Sequence, residues 1–317
     1  MDAAGDNDFS IANEIARDGS FQRQVNAFRD AVSPDGTTDF PAEAGRYHLY
    51  VSWACPWAHR TAIARSLKGL QDVVSLSAVD PVRDARGWAF TGGEYTDHIN
   101  GFEFLSEAYL LTDPGFDQRV TVPVLWDRVT GTIVNNESSE ILRILDSGFG
   151  DLATGDCVLY PEEFRSGIDA INEFVYPRIN NGVYRAGFAR SQSAYDTAVE
   201  ELFEALDLIE GRLAGTRYLV GSPSPTEADW RLFTTLVRFD AVYVGHFKCN
   251  VRRIADYPNL SAYLRDLHQH PGVAETVRID EIKAHYYRTH PEINPTGIVP
   301  AGPELDFDAP HGRDDLS

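Results

Sequence analysis

The sequence predicts a small α/β domain followed by an all-helical domain. Between residues 45 and 150, short segments of alternating apolar residues are separated by segments with helical spacing. From about residue 164 to residue 288, the apolar residues recur at the spacing of one helix face. We therefore assign residues 1–44 to an N-terminal arm, 45–150 to the α/β domain, and 151–317 to the helical domain with a tail that wraps the surface.

The α/β domain is predicted to begin with a strand at Tyr47–Val51, where the period-2 apolar pattern starts. Residues 83–118 are rich in Gly, Asp and aromatic residues and lack clear periodicity, so we interpret them as an insertion. The other predicted elements are a helix at Ala58–Lys68 ended by Gly69, strands at Val73–Val79, Thr121–Trp126 and Thr132–Asn135, and a helix at Ser138–Leu145. This order is that of a thioredoxin-like domain.

Two helices of the second domain have clear sequence signals. Tyr195–Leu213 carries apolar residues at i, i+3, i+4 and i+7, which predicts an amphipathic helix. Thr226 can cap the next helix, and Asp229 stands three residues on, where a capping box places its acid. The following stretch, Leu232–Val242, is apolar on several faces, so this helix is predicted to be buried. A small α/β domain followed by a helical one is the plan of soluble glutathione transferases.

The composition is strongly acidic, with a formal net charge of −20. This charge would repel nucleic acid and anionic membranes, so neither is expected as a partner. Only three of the 28 basic residues are lysine: Lys68, Lys248 and Lys283. An acidic, lysine-poor surface is a known adaptation to high salt, and a moderately acidic mesophilic protein is the alternative.

The apolar segments and the cysteines indicate a cytoplasmic protein. Each apolar stretch is strand-sized, well short of the roughly 20 residues of a membrane-spanning helix. The first residues are polar and Asp-rich, unlike a signal peptide. Three widely spaced cysteines form no disulfide framework, which fits a reducing compartment. We interpret Cys157 and Cys249 as inert, buried small residues.

Cys55 lies where the first strand gives way to the first helix. Pro56 then occupies the first helical position, where a missing N–H costs nothing. The free N–H groups and the dipole of a helix N-terminus favour a thiolate, and His59 and Arg60 could add positive charge. Ala58 stands where a Cys-x-x-Cys pair has its second cysteine, so thiol exchange must proceed through a mixed disulfide with an outside thiol.

Two other interpretations of Cys55 remain open. A metal site would pair it with His59 at i+4, but no further ligand cluster surrounds these residues in the sequence. A buried structural cysteine would leave Pro56 and the strand-to-helix position unexplained.

Pro123 opens an apolar strand, where it removes a hydrogen-bond donor from the ladder. In thioredoxin-like domains such a proline is cis and faces the reactive cysteine, which frees the preceding backbone to bond a thiol peptide. A plain strand-edge proline is the alternative.

Glu137 and Ser138 lead the last helix of the α/β domain. Ser138 and the helix N–H groups can hold a carboxylate, and Glu137 can hold an ammonium group. Together they match the α-amino acid head of a γ-glutamyl thiol, although the same residues alone would serve as a helix cap.

Six motifs carry a resemblance to the glutathionyl-hydroquinone reductases, the Xi class of glutathione transferases. The resemblance covers nearly the whole chain, and its last three motifs are the more specific. The motifs are Ala54–Thr61, Thr121–Asp127, Asn136–Ser138, Ile179–Tyr184, Val242–Cys249 and Ile293–Ile298.

The resemblance implies that Cys55 is the nucleophile. It implies a glutathione site formed by Trp88, Arg119, Val120, Pro123, Glu137 and Ser138. It also implies that Tyr184 and Tyr286 line a hydroquinone pocket, with Tyr287 as the alternative to Tyr286. No metal or nucleotide is required, and a homodimer is expected. If the host is a haloarchaeon, the thiol is open between glutathione and γ-glutamylcysteine.

Two other functions remain open. An omega-like thioltransferase or dehydroascorbate reductase would use the same cysteine on other substrates, and activity on glutathionyl-hydroquinones would distinguish them. A non-enzymatic ligand carrier would have the same fold, but the presence of Cys55, Pro123, Glu137 and Ser138 argues against it.

Overall fold

The computed structural model describes residues 14–316, which divide into two compact units. The first unit contains residues 25–156, and the second contains residues 14–24 together with 157–316. The predicted arm thus contributes to both units, and its first 13 residues lie outside the described part. The domain boundaries given by the sequence stay a prediction.

The first unit is built on a four-stranded mixed sheet. Its strands are β3 (Tyr47–Val51), β4 (Val74–Ala78), β5 (Val124–Asp127) and β6 (Thr132–Asn135), and β1 (Val32–Ser33) and β2 (Phe40–Pro41) form a separate parallel pair. The order in the sheet is β4-β3-β5-β6, with β3 parallel to β4 and antiparallel to β5, and with β5 antiparallel to β6. The helices are α1 (Pro56–Leu67), α2 (Ser106–Thr112) and α3 (Ser138–Arg143).

Helix α2 lies within residues 83–118, which were interpreted as an insertion without clear periodicity. It spans only seven residues and exposes Leu110 and Leu111, so no apolar face marks it in the sequence. Its last residue, Thr112, accepts a hydrogen bond from the N–H of Ile133 in β6 at 2.8 Å. The segment therefore contains a helix between β4 and β5, which are the second and third strands of the thioredoxin-like order.

The other predicted elements of this unit are present, with shifted ends. Helix α1 begins at Pro56, two residues before the predicted start, because proline is tolerated in the first helical turn. Gly69 has a φ of +61° just past its end, a conformation that glycine adopts without steric cost. Helix α3 gives way to a π-helical segment at Ile144–Gly148.

The second unit is helical. Its helices are α4 (Arg165–Val175), α5 (Gly182–Gly187), α6 (Gln192–Leu213), α7 (Glu227–Arg238), α8 (Pro258–His268) and α9 (Ile279–Thr289). Each residue of α7 except Arg231 is buried, which confirms the prediction of a buried helix.

The predicted capping residues of α7 are joined by hydrogen bonds. The Asp229 carboxylate accepts bonds from the N–H and the hydroxyl of Thr226 at 2.7 and 2.9 Å. It also accepts bonds from the N–H of Leu219 and the hydroxyl of Tyr263, at 2.9 and 2.8 Å. Four donors thus satisfy a carboxylate that is fully buried.

The tail beyond α9 contains no regular helix or strand up to residue 316. Arg313 anchors it, because its buried guanidinium donates hydrogen bonds to the backbone carbonyls of Leu213, Thr216 and Arg217. Leu213 ends α6, where a helix leaves its last carbonyls without partners inside the helix, and Thr216 and Arg217 follow shortly after it. Among residues 14–316, no helix combines the length and apolar character needed to span a bilayer.

Candidate active site

Cys55 occupies the N-cap position of α1, in an extended conformation with φ −81° and ψ 121°. Its side chain is partly exposed, and its thiol donates to the Val122 carbonyl oxygen, with Sγ and O 3.6 Å apart. The predicted position at a helix N-terminus followed by Pro56 is confirmed. The N-terminus of α1 presents the positive end of the helix dipole at this position.

The Val122–Pro123 peptide bond is cis, as the sequence predicted. Strand β5 begins one residue later, at Val124, so the backbone of Val122 lies outside the ladder. The sequence predicts that the backbone before Pro123 is free to bond a thiol peptide, and the Val122 carbonyl oxygen lies 3.6 Å from the Cys55 sulfur. Val120, assigned to the glutathione site, is buried, and that assignment stays a prediction.

Arg60 and His59 are both buried in α1. The Arg60 guanidinium lies 4.8 Å from the centre of the Trp57 ring, and its charge also acts on Glu137. The positive charge expected near the start of α1 is therefore held inside the unit, where solvent screens it less than at the surface.

Glu137 is the N-cap of α3. One carboxylate oxygen accepts bonds from the N–H and hydroxyl of Ser139 at 3.0 and 2.8 Å, and the other accepts one from Asn26 at 2.7 Å. Burial alone would raise the pKa of Glu137, but these hydrogen bonds and the charge of Arg60 outweigh it, so the pKa is lowered. Glu137 is thus a carboxylate at neutral pH, able to attract an ammonium group.

Ser138 is buried at the first position of α3, next to Glu137. Asn26 was not predicted, because it lies 111 residues from Glu137 in the chain and carries no motif signal. Glu137 therefore caps the helix and keeps its charge, and the binding of a γ-glutamyl head by Glu137 and Ser138 stays a prediction.

The remaining predicted thiol-binding residues lie in the same unit. Trp88 is buried in the connection between β4 and α2, and Arg83 lies over its ring at 5.5 Å. Arg119 is half-buried and Val120 is buried, both in the connection between α2 and β5. Their assignment to glutathione stays a prediction.

A chain of three tyrosine hydroxyls lies in the second unit. The hydroxyls of Tyr184 on α5 and Tyr286 on α9 are 2.6 Å apart, and those of Tyr286 and Tyr243 are 3.0 Å apart. Tyr243 ends a π-helical segment at Phe239–Tyr243 that follows α7. The two predicted pocket residues thus meet directly, and Tyr243 is a third member that the sequence analysis left without a role.

Burial is the main influence on the two inner phenols. It raises the pKa of Tyr243 and of Tyr286 well above the ordinary value, and the neighbouring Tyr184 adds to the effect. The buried Arg238 at the end of α7 acts in the opposite direction on both. Tyr243 and Tyr286 are therefore protonated phenols at neutral pH.

Tyr287, the alternative to Tyr286, lies outside this chain of hydroxyls. Its ring packs against His246 with the centres 5.0 Å apart, and its hydroxyl oxygen lies close to Gly245. Adjacent residues on a helix point in different directions, so only one of the pair can reach Tyr184.

Comparison with known proteins identifies the family. Residues 54–147 match the N-terminal domain of glutathione S-transferases, and residues 192–266 match the C-terminal domain. The chain is 52% identical to glutathionyl-hydroquinone reductase YqjG of Escherichia coli, with 93% of each chain covered. It is also 52% identical to glutathionyl-hydroquinone reductase PcpF of Sphingobium chlorophenolicum, with 90% of each covered.

Solved structures of similar proteins indicate the same family. The Xi-class glutathione transferase from Natrialba magadii is 53% identical and superposes with a TM-score of 0.92, covering 96% of this chain and 94% of that one. The glutathione-bound structure of YqjG gives a TM-score of 0.88 at 52% identity, covering 91% of this chain and 96% of that one. The chain therefore belongs to the glutathione S-transferase family, within the Xi class that contains the glutathionyl-hydroquinone reductases.

Proposed function

We propose that this protein reduces glutathionyl-hydroquinones to hydroquinones, with Cys55 as the nucleophile and glutathione as the reductant. The observation that carries the proposal is the position of Cys55 at the N-terminus of α1, with its sulfur 3.6 Å from the Val122 carbonyl. The names of the relatives at 52% identity, both glutathionyl-hydroquinone reductases, support the same activity.

The reaction proceeds in two thiol-exchange steps. The Cys55 thiolate attacks the sulfur of the glutathionyl-hydroquinone, the carbon–sulfur bond breaks with its electron pair going to the ring carbon, and that carbon takes up a proton. A glutathione thiolate then attacks the Cys55–glutathione disulfide and releases oxidised glutathione and the Cys55 thiolate. The net change consumes one glutathione per hydroquinone, so no further reductant is needed.

The other predicted site residues have proposed roles in binding. Glu137 would hold the γ-glutamyl ammonium group, and Ser138 with the N–H groups of α3 would hold its carboxylate. The remaining proposed contacts to the thiol substrate are Trp88, Arg119, Val120 and Pro123. Tyr184 and Tyr286 would meet the oxygens of the hydroquinone, and as phenols they can supply the proton that the ring carbon needs.

The direct test is an assay of the purified protein with glutathionyl-menadiol and glutathione. We expect menadiol and oxidised glutathione to form in equal amounts, and chromatography measures both. Turnover of hydroxyethyl disulfide or dehydroascorbate without any reduction of glutathionyl-menadiol would favour the omega-like alternative. Absence of turnover on all three substrates would favour the ligand carrier.

We further propose that the protein is adapted to high salt and accepts γ-glutamylcysteine in place of glutathione. Two of its three lysines are buried: Lys68 pairs with Asp146 at 3.1 Å, and Lys283 donates to the Ala301 carbonyl at 2.9 Å. Lys248 is therefore the one lysine on the surface, against an overall charge of −20. A γ-glutamyl head would meet Glu137 and Ser138 in either thiol.

We also propose that the protein works as a cytoplasmic homodimer, as the family resemblance implies. Sedimentation equilibrium at the salt concentration that gives full activity would measure the mass of the assembly. A single species at the mass of one chain would contradict the dimer. Fractionation of host cells would test the location.

A further inference from the structure

Residues 14–24 form a short hairpin, which we call the N-terminal hairpin. Ile15 and Phe21 face each other in an antiparallel bridge, and the N–H of Gln22 donates to the Glu14 carbonyl at 2.7 Å. Gly19 turns the chain with a φ of +85°. The hairpin belongs to the second unit, although residues 25–156 of the first unit lie between it and the rest of the second unit in the chain.

Several contacts fix the hairpin at the junction between α5 and α6. Phe21 is buried and packs on Phe188 with ring centres 5.4 Å apart. The Arg190 N–H donates to the Gly19 carbonyl, and the Ser191 hydroxyl donates to the Asp18 carbonyl, both at 2.9 Å. A side chain at Gly19 would approach the Ser191 nitrogen to 3.0 Å, so the two backbones meet as closely as glycine allows.

This docking places Arg23 against the outer tyrosine of the hydroxyl chain. The centre of its guanidinium lies 4.8 Å from the centre of the Tyr184 ring, and its Nε donates to the side-chain oxygen of Asn181 at 3.0 Å. Asn181 directly precedes α5, which carries Tyr184. One side chain therefore holds both the start of the helix and the face of the phenol ring.

Tyr184 is the most exposed of the three phenols. It is 9% exposed, whereas Tyr286 is 1% exposed and Tyr243 is fully buried. Either hydroxyl of each pair can be the donor, and in the order Tyr243 to Tyr286 to Tyr184 the Tyr184 hydroxyl donates to a substrate oxygen or carbon. When Tyr184 gives up that proton, negative charge develops on the ring beside Arg23.

We propose that Arg23 is a positioning residue for the quinol half of the reaction, holding Tyr184 in place and stabilising its phenolate while it protonates the leaving hydroquinone. A cation over the face of an aromatic ring is attracted to it, and the attraction grows when the ring becomes an anion. The inference rests on the proposed function, since it assigns Tyr184 to the hydroquinone. The proton passes from the Tyr184 oxygen to the ring carbon that loses sulfur, and solvent later reprotonates the phenolate.

The test compares Arg23→Gln, which removes the charge, with Arg23→Lys, which keeps it. Arg17→Gln is the matched control, because Arg17 lies in the same hairpin and is exposed. For glutathionyl-menadiol we expect Arg23→Gln to lower kcat about tenfold with little change in KM, and Arg23→Lys to retain most of the rate. Exchange with hydroxyethyl disulfide needs Cys55 but no phenol, so it should be unchanged in all three variants.

Three outcomes would overturn the proposal. They are a kcat of Arg23→Gln within about twofold of the wild type, equal impairment of Arg23→Gln and Arg23→Lys, and a parallel fall in hydroxyethyl disulfide exchange. Equal impairment of Arg23→Gln and Arg23→Lys would show that the packing of the side chain matters and its charge does not. A parallel fall in hydroxyethyl disulfide exchange would show a general loss of structure.

A binding measurement separates this inference from the proposed function. If the wild type fails to reduce glutathionyl-menadiol, the proposed function is wrong. The role of Arg23 can then be tested without turnover, by measuring the binding of 4-nitrophenolate. We expect the wild type and Arg17→Gln to bind this anion several times more tightly than Arg23→Gln does, as followed by its phenolate absorbance. Equal affinities, or no binding to any of the proteins, would contradict the assignment of Arg23.

Discussion

The hydroxyls of Tyr184 and Tyr286 lie 2.6 Å apart, although 102 residues separate them in the chain. Tyr286 also meets the Tyr243 hydroxyl at 3.0 Å, so it is the central link of the three. A hydroxyl that bonds two partners in a buried position contributes more than one that bonds a single partner, because its loss leaves both partners unsatisfied.

We therefore expect Tyr286→Phe to lower the free energy of unfolding by about 1–3 kcal/mol and to slow the reduction of glutathionyl-hydroquinones. Urea denaturation measures the first effect and steady-state kinetics the second. Tyr287→Phe is the matched control, since its hydroxyl lies outside the chain and its reductase rate should stay near that of the wild type. Equal rates for the two variants would contradict a role for the hydroxyl chain.

Replacing Cys55 should abolish the reduction, because the mixed disulfide forms on this sulfur alone. Cys55→Ser and Cys55→Ala are both expected to be inactive, and mass spectrometry should detect the Cys55–glutathione adduct only in proteins that keep this residue. Cys157→Ser is the control and should retain most of the activity. Near-normal turnover by Cys55→Ser, or its loss in Cys157→Ser, would refute the single-cysteine mechanism.

Alkylation should distinguish Cys55 from Cys249. Cys249 is fully buried, and burial raises the pKa of its thiol well above the ordinary value. We expect iodoacetamide to modify Cys55 rapidly at neutral pH and to leave Cys249 unmodified until the protein unfolds. Peptide mass spectrometry after timed quenching measures both, and rapid modification of Cys249 in the folded protein would contradict this order.

Glu137 should make stability depend on pH in the acid range. Its pKa is lowered in the folded state, so it stabilises the fold above its ordinary value of 4.5, and this contribution is lost as the pH falls through the lowered pKa. Glu137→Gln removes the charge, so its melting temperature should approach that of the wild type as the pH falls below 4.5. Differential scanning calorimetry at several pH values measures the difference.

The same variant should bind the thiol substrate more weakly at neutral pH, since the ammonium group loses its anionic partner. A rise in KM for glutathione is the expected sign, and Glu173→Gln, a surface change in the second unit, serves as the control. An unchanged KM would remove Glu137 from the glutathione site and leave it as a helix cap.

Salt should stabilise the protein strongly. Carboxylate repulsion acts over about 30 Å at 0.01 M salt but over only about 3 Å at 1 M, and the net charge of −20 makes this repulsion large. We expect both the melting temperature and the activity to rise steeply over this range of KCl. A flat or falling response would refute adaptation to high salt.

If that response is found, γ-glutamylcysteine should replace glutathione with a similar kcat/KM, because the residues assigned to recognition hold the γ-glutamyl end. Strong discrimination against it would show that the glycine carboxylate of glutathione is an anchor that Glu137 and Ser138 do not provide.

Local signals in the sequence determined most of the regular structure. Strands β3 and β6 have the bounds that were predicted, because alternation and flanking turn residues are read within a few positions. Pro56 and the capping acid Asp229 marked helix starts for the same reason. Helix α2 was missed because seven residues with an exposed pair of leucines give no period to read.

The position of Cys55 at a helix N-terminus could be predicted, since the strand, the cysteine, the proline and the helix follow one another in the chain. The contacts of the phenols could not. Tyr184, Tyr243 and Tyr286 come from three separate helical segments, and Arg23 reaches Tyr184 from a hairpin that residues 25–156 separate from the rest of the second unit. Contacts between residues so far apart depend on how helices pack against one another, and no local pattern of residues records that geometry.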